Sequence, residues 1–191
     1  MTEDEPILVA RRRFTEAGGD RALAIGLYSE LIPDLTRLLG PDHRQTLTAR
    51  HRLAVCVGDG GDREGAVRLL REVVPDLARV LGPDHELTLK ATGHLAFNLG
   101  ERGDRSAATA MFQRLIADLT RTLGPDHQQT LVARRLLAVN VGADGDRAEA
   151  VRLLREVVAD LARALGPEHQ QTRKARCELE TFESGGLPGI V

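Results

Sequence analysis

Among the residues that could act as acids, bases, nucleophiles or metal ligands, the six histidines and two cysteines of this chain are the most informative. Four of the histidines recur at intervals of 42 residues within one motif, Leu-Gly-Pro-Asp/Glu-His; they are His43, His85, His127 and His169. A residue that returns at a fixed period of this length occupies the same place in each structural repeat. We therefore predict that these four histidines form turns and cap helices, with no catalytic role.

The remaining two histidines, His51 and His94, belong to neighbouring repeats. Adjacent helices in such an array lie roughly 10 Å apart, whereas a zinc ion lies about 2 Å from each histidine nitrogen that binds it. We therefore expect the two imidazoles to be too far apart to share a metal ion, and the sequence predicts no metal site. His51 and His94 are expected either to be solvated or to contact a bound peptide or anion.

Neither cysteine shows the pattern of a reactive or metal-binding thiol. Cys56 and Cys177 lie far apart and lack CxxC spacing, so we expect free thiols in a reducing, cytoplasmic setting. Cys56 is predicted to pack as a small apolar residue, and Cys177 to be exposed without a base beside it. The glycine-rich turns join helix to helix, whereas phosphate-binding loops follow strands. We therefore predict no catalytic residue, no cofactor and no enzymatic activity.

Composition argues against nucleic-acid and membrane partners. The 191 residues carry a net charge of −2 with the cations spread along the chain, which leaves no basic patch for nucleic acid. The acidic N-terminus lacks the basic and apolar segments of a signal peptide, and no apolar run reaches the roughly 18 residues that span a bilayer. Aromatic residues make up only 3%, so the core must consist mainly of Leu, Val and Ala, a composition that favours helices.

The elements that position these residues follow from the same 42-residue period. Within one repeat, apolar residues recur every three or four positions from Thr46 to Gly58, which predicts a first helix. A glycine turn ends this helix, and Asp62 is placed to cap a longer second helix that runs to Leu81. A Gly-Pro pair then prevents the helix from continuing. Each repeat is therefore predicted to be a helical hairpin.

A single array of nine helices is predicted across residues 1–191. It begins with a degenerate N-terminal hairpin at 5–39, which is followed by three regular hairpins at 44–81, 86–123 and 128–165. A capping helix at 170–183 and a flexible tail at 184–191 complete the array. The first helix is expected over 5–17, with its run of three arginines facing solvent. Pro33 and Pro75 lie within the first two long helices and are expected to kink them without ending them.

A second period, of 84 residues, is superimposed on the first. The segment 63–85 matches 147–169 much more closely than it matches the segment between them, and 31–43 matches 115–127. The chain is therefore described as a duplicated pair of hairpins. Either the duplication has no functional meaning, or two equivalent sub-sites or a symmetric self-association were inherited with it.

The motif LGPDHxxTLxARxxLAxxxGxxGDRxxA, repeated three times, resembles the tetratricopeptide repeat family, of the 42-residue kind found in kinesin light chain and in many actinobacterial proteins. The resemblance covers about residues 20–182. The matching packing positions are Leu53, Ala54, Gly61 and Ala66, then Leu95, Ala96, Gly103 and Ala108, then Leu137, Ala138, Gly145 and Ala150. The resemblance implies an all-α, right-handed superhelix of hairpins, whose first helices line a concave groove that holds peptides or partner proteins and rarely catalyses reactions.

The resemblance also indicates which residues line that groove. Relatives usually carry Asn-Asn before the Leu-Ala pair, where an asparagine can clamp the backbone of a bound peptide, and this chain has no asparagine at those positions. The candidate contacts are Thr48, His51, Arg52, Val55, Lys90, His94, Phe97, Glu101, Arg135 and Val139. We predict a moderately basic groove with Phe97 as its apolar anchor. It is expected to bind an acidic protein or peptide without catalysis.

Two alternatives stay open. Gly93 leaves space one turn from Phe97, which indicates either a close approach of helices or a pocket for a small molecule with a binding or catalytic role. The 84-residue pseudo-symmetry, in contrast, favours a homo-oligomeric scaffold such as a homodimer.

Overall fold

The computed structural model describes residues 21–186, and within that range the chain folds into eight α-helices without a strand. They are Arg21–Leu39 (α1), Arg44–Asp59 (α2), Arg63–Leu81 (α3), Glu86–Arg102 (α4), Arg105–Leu123 (α5), Gln128–Ala143 (α6), Arg147–Leu165 (α7) and Gln170–Glu183 (α8). The predicted all-α fold class is confirmed, and the bounds of α2 to α7 fall within the ranges predicted for the three regular hairpins. The helix expected over 5–17 and the tail residues 187–191 lie outside the described residues.

Each shorter helix begins just after a histidine of the repeated motif. The Nδ1 atom of each of these histidines accepts a hydrogen bond from the backbone N–H two residues further on. The bonds run from Gln45 to His43 at 3.3 Å, Leu87 to His85 at 3.1 Å, Gln129 to His127 at 3.2 Å and Gln171 to His169 at 3.2 Å. Because each bond satisfies a donor that a helix start leaves free, the prediction that these four histidines cap helices is confirmed.

The longer helices are preceded by aspartates and end at glycines. Asp62 Oδ1 accepts a hydrogen bond of 2.8 Å from the backbone N–H of Gly65, which caps α3 as predicted. Asp104 stands at the same place before α5 but makes no such bond; its carboxylate pairs instead with Arg102. Gly82 follows α3 with a φ of +99°, a conformation that favours glycine because it has no Cβ.

Helices α1 and α3 continue through their internal prolines. Pro33 and Pro75 are both exposed, and the two helices extend beyond them to Leu39 and Leu81. At an exposed position, water can replace the backbone hydrogen bond that proline removes, so the helix survives. The prediction that these prolines do not end their helices is confirmed, whereas the expected kink stays a prediction.

The chain divides into two compact units between Asn98 and Leu99, within α4; we refer to them as unit 1 and unit 2. In unit 1, side chains of α1 and α2 form a buried cluster that Cys56 joins as a half-buried neighbour, as predicted for a small packed thiol. In unit 2, two clusters join α6, α7 and α8, the second of them around the fully buried ring of Phe182. The prediction of one continuous array stays a prediction.

The outward faces of the long helices carry charge. The exposed residues there include Arg68, Arg71, Glu72, Arg152, Arg155 and Glu156, as predicted for a solvated face. Among the described helices, none combines the length and the apolar character needed to cross a bilayer. The exposed charged face of α3 can serve as a control surface when charges are changed elsewhere in the chain.

Candidate functional site

A contact between two shorter helices occurs at the same place in each unit. In unit 1, His51 of α2 meets His94 of α4; in unit 2, Arg135 of α6 meets Glu178 of α8. Each contact joins residues 43 apart, and one contact lies 84 residues after the other. We call the first the histidine contact and the second the ion-pair contact. The duplication thus places different chemistry at one position of the fold.

The histidine contact brings two imidazole rings within hydrogen-bonding distance. Nε2 of His51 lies 2.9 Å from Nδ1 of His94, and the ring centroids are 5.0 Å apart with planes inclined by 28°. The two imidazoles, expected to be too far apart to share a metal ion, are therefore much closer than the sequence indicated. That expectation used the distance between helix axes, and two side chains that extend toward each other close this gap. Within the described residues, no group of three or more His, Cys, Asp or Glu could hold a metal ion.

Burial keeps both rings of the histidine contact neutral at pH 7. His51 is only 4% exposed, so the expectation that it is solvated is also wrong. Burial first, and then the neighbouring His94, Arg52 and Lys90, lower the pKa of His51 to about 3. Burial also lowers the pKa of His94, with Arg52 and Lys90 acting in the same direction and Asp59 opposing them. The two facing nitrogens therefore share one proton, one as donor and the other as acceptor.

The hydrogen bonding of this contact is incomplete. Nδ1 of His51 is buried and has no hydrogen-bond partner among the described residues. A buried polar atom without a partner costs about 1–3 kcal/mol, which is comparable to the gain from the bond on the other side of the ring. The histidine contact therefore adds little net stability to unit 1.

Two of the predicted cations lie exposed beside the histidine contact. Arg52 of α2 and Lys90 of α4 both face solvent, and the charges of both act on the two imidazoles. Lys90 pairs with Glu86 one turn earlier, at 2.6 Å, on the exposed surface of α4. An exposed pair of this kind contributes at most a few tenths of a kcal/mol, so a carboxylate from outside can compete with Glu86.

The predicted aromatic residue, Phe97, has a cation over its ring. The guanidinium carbon of Arg63 lies 5.4 Å from the centroid of Phe97, which is itself half-buried. The same guanidinium donates hydrogen bonds of 2.6 Å to the Gly58 carbonyl and 3.3 Å to Asn98 Oδ1. Arg63 is thus held from three sides. For the half-buried Gly93, one turn earlier, a close approach of helices and a pocket both stay open as predictions.

Sequence reasoning missed the asparagine that packs beneath this face. Asn98 is buried, and Oδ1 would lie 2.6 Å from a Cβ placed on Gly58, so α2 and α4 approach as closely as a glycine permits. The 42-residue period contained the signal, because Asn140 and Phe182 follow at the same step. Asn140 donates hydrogen bonds to the Arg105 carbonyl at 2.9 Å and to Thr109 Oγ1 at 2.8 Å.

The ion-pair contact removes one predicted cation from the surface. The guanidinium of Arg135 donates to the Glu178 carboxylate, and the two side chains are only 10% and 19% exposed. The prediction treated Arg135 as a solvent-facing groove residue, which is wrong because its charge is buried and neutralised within the chain. Sequence comparison missed this pairing because Glu178 aligns with Arg52 and His94, one residue out of step with Arg135.

Electrostatics differ between the two contacts. Burial raises the pKa of the Glu178 carboxyl, against the opposing effect of Arg135. The atoms Nε of Arg135 and Oε2 of Glu178 are buried and lack a hydrogen-bond partner among the described residues. The pair is therefore held by one charge-assisted bond and is not bidentate.

The remaining predicted contacts are distributed over both units. Thr48 and Val55 are half-buried on α2, and the Thr48 hydroxyl donates to the Arg44 carbonyl of its own helix at 2.7 Å. Val139 is half-buried against the second cluster of unit 2. Glu101 is half-buried near the end of α4, in unit 2. Cys177 is exposed, as predicted.

Comparison with known proteins agrees with this architecture. A family model described as tetratricopeptide repeat matches residues 46–86, 88–129 and 130–171. No curated protein matches the sequence.

Solved structures show the same fold. The chain is similar to a kinesin light chain-type protein of Podosopora anserina with nearly identical TPR-like repeats: identity is 28%, coverage is 94% of this chain and 84% of that one, and the TM-score is 0.74. A point variant of that protein gives 28% identity, 96% and 88% coverage and a TM-score of 0.76. BtubC (BKLC) from P. vanneervenii gives 15% identity, 95% and 71% coverage and a TM-score of 0.76. The tetratricopeptide solenoid fold class is thereby confirmed.

Proposed function

Because this chain belongs to the tetratricopeptide repeat family, whose members are generally protein-interaction modules, we propose that it binds an acidic segment of a partner protein without catalysing a reaction. The binding surface that we propose lies in unit 1, on the exposed side of the histidine contact. Its contacts are Thr48, Arg52, Val55, Lys90 and Phe97. The free state of both cysteines favours a cytoplasmic location for this binding.

The observation that carries the proposal is the charge difference between the two equivalent contacts. Unit 1 presents two exposed cations, Arg52 and Lys90, around a neutral pair of rings. The ion-pair contact of unit 2 neutralises its arginine internally. A carboxylate that approaches unit 1 therefore meets positive charge with no buried acid beneath it, which favours charge-assisted hydrogen bonds.

Phe97 supplies the apolar part of the proposed surface. It is half-buried, and Arg63 lies over one face of the ring. We therefore expect the bound segment to combine acidic residues with at least one apolar side chain. A small-molecule pocket at Gly93 and a homo-oligomeric scaffold remain the alternatives, and no described contact favours either over a peptide.

Binding of matched peptides tests the proposal. The probes are a Glu-rich peptide with one leucine and its Gln-rich counterpart, measured by fluorescence anisotropy at several salt concentrations. We expect the acidic peptide alone to bind, more weakly as salt rises, and Arg52→Glu with Lys90→Glu to weaken binding at least tenfold. Arg68→Glu with Arg71→Glu on the outward face of α3 is the control, since it changes the charge equally. Equal affinity of both double variants would refute the proposed surface.

A further inference from the structure

We propose that the histidine contact is an acid-sensitive connection between α2 and α4, which opens when either ring takes up a proton, whereas the ion-pair contact of unit 2 does not open with acid. Such opening would regulate unit 1 whatever partner is bound there. The geometry of the contact, its burial and the charges around it all favour opening on protonation.

The geometry leaves no stable place for a proton on His51. Its Nε2 faces Nδ1 of His94 at 2.9 Å, so two protonated nitrogens there would be donors facing each other. A proton on the other nitrogen, Nδ1, would place a charged group where nothing among the described residues accepts its hydrogen bond. With 4% of His51 exposed, water does not solvate that charge while the contact is closed.

The charges around the contact also oppose protonation. Arg52 of α2 and Lys90 of α4 are positive and act on both rings. Asp59 of α2 is the acid that acts on His94 in the opposite direction. A proton on His94 would therefore add a third positive charge to a site whose acids are Asp59 and Glu86, and Glu86 already pairs with Lys90. Opening the contact lets water solvate that charge and separates it from the cations.

Linkage gives the direction and size of the effect. A free imidazole has a pKa near 6.5, and the closed contact lowers the pKa of His51 to about 3. Between these two values the open state binds more protons than the closed state, so opening becomes more favourable as the pH falls. For one proton, the ratio of open to closed molecules rises about tenfold per pH unit. Above about pH 6.5 this ratio does not depend on pH.

The equivalent contact in unit 2 contains no imidazole. Arg135 donates to the Glu178 carboxylate there, so the group whose proton uptake opens the histidine contact is absent from it. Burial raises the pKa of Glu178, against the opposing effect of Arg135. Unit 2 thus serves as an internal reference, with the same fold position and no histidine in the contact.

Hydrogen exchange measured by mass spectrometry on the full chain tests the inference. Peptides from α2 and from the unit 1 part of α4 are compared with peptides from α6 and α8 at about pH 7, 6 and 5, after correction for the intrinsic pH dependence of exchange. We expect the opening constant in unit 1 to rise about tenfold per pH unit below about 6.5, and none of this rise in unit 2. Equal pH responses in the two units would overturn the inference.

Exchanging the two contacts provides the matched variants. His51→Arg with His94→Glu writes the ion pair of unit 2 into unit 1, and we expect the acid response of α2 and α4 to disappear. Arg135→His with Glu178→His places the histidine pair in unit 2, and we expect α6 and α8 to gain the response. If the first variant does not fold, the second decides. An acid response that stays with unit 1 after exchange, or that unit 2 fails to gain, would contradict the role of the two histidines.

Discussion

The histidine contact and the ion-pair contact occupy one position of a duplicated fold, yet they respond differently to charge. His51 and His94 bury two neutral rings with one nitrogen unsatisfied, whereas Arg135 and Glu178 bury two opposite charges joined by one strong bond. The fold thus brings two side chains together at this position in each unit, but it does not prescribe their chemistry. The position of the contact is the same in both units, whereas the types of the two side chains differ. The response of the contact to pH can therefore differ between the two units.

The packing beneath the two contacts differs as well. In unit 1, the polar side chain of Asn98 lies against Gly58. In unit 2, Phe182 occupies the equivalent position against Gly142, within the core cluster formed by α6, α7 and α8. Unit 2 therefore combines a charged contact with an apolar core beneath it, and unit 1 combines a neutral contact with a polar side chain beneath it. Substitutions at these positions separate the two arrangements.

The largest effect is expected from breaking the ion-pair contact. Arg135→Met leaves Glu178 buried without its cation, which should cost about 3 kcal/mol of unfolding free energy, at the low end of the range because Glu178 is 19% exposed. Chemical denaturation measures this loss. Adding Glu178→Leu removes the uncompensated charge and should restore most of the stability. A single variant as stable as wild type would mean that the buried pair contributes nothing.

A smaller effect is expected where helices approach at glycine. Gly142→Ala forces a methyl group against the buried ring of Phe182 and should cost about 2–3 kcal/mol, whereas Gly58→Ala displaces the side chain of Asn98 and should cost about 1–2 kcal/mol. Gly26→Ala is the control, because a Cβ there has nothing within 4 Å and should stabilise α1 by about 0.5–1 kcal/mol. Thermal unfolding ranks the three variants. The reverse order of the first two would refute the difference in packing.

The smallest effect distinguishes two helix starts that lie one repeat apart, the start of α3 in unit 1 and the start of α5 in unit 2. Asp62→Ala removes the 2.8 Å bond that caps α3 and should cost about 1 kcal/mol. Asp104→Ala in unit 2 removes no capping bond and loses only its pairing with Arg102, so it should cost a few tenths of a kcal/mol. Urea unfolding of the two variants side by side measures the difference. Equal losses of unfolding free energy in the two variants would show that the capping hydrogen bond of Asp62 does not contribute to stability.

The sequence predicted the hairpins and their caps well, because those features depend on local chemistry. The 42-residue period places a histidine where each shorter helix begins, an aspartate where a longer helix begins and a glycine where it ends. Residues close in the sequence supply the hydrogen-bond partners of these caps. His43 and Asp62 behave as expected for this reason. The family resemblance extended this local information to the fold.

The same reasoning failed where partners come from different repeats. Comparing repeats column by column aligned His51 with Gly93 and Arg135 with Cys177, whereas the contacts join each residue to the next column of the following repeat. The 43-residue offset depends on how helices pack side by side, which the 42-residue period does not contain. The period therefore indicates a surface cation at Arg135, although its partner Glu178 is in the sequence.

The most direct test of the account is a proton NMR titration of the histidine ring resonances in the folded protein. The two resonances assigned through His51→Gln and His94→Gln should titrate below the ordinary range of an imidazole, with His51 near pH 3 or unfolding before it protonates. Titration of both rings near about pH 6.5 with the fold intact would contradict the account, because it would show that the histidine contact accepts a proton without opening.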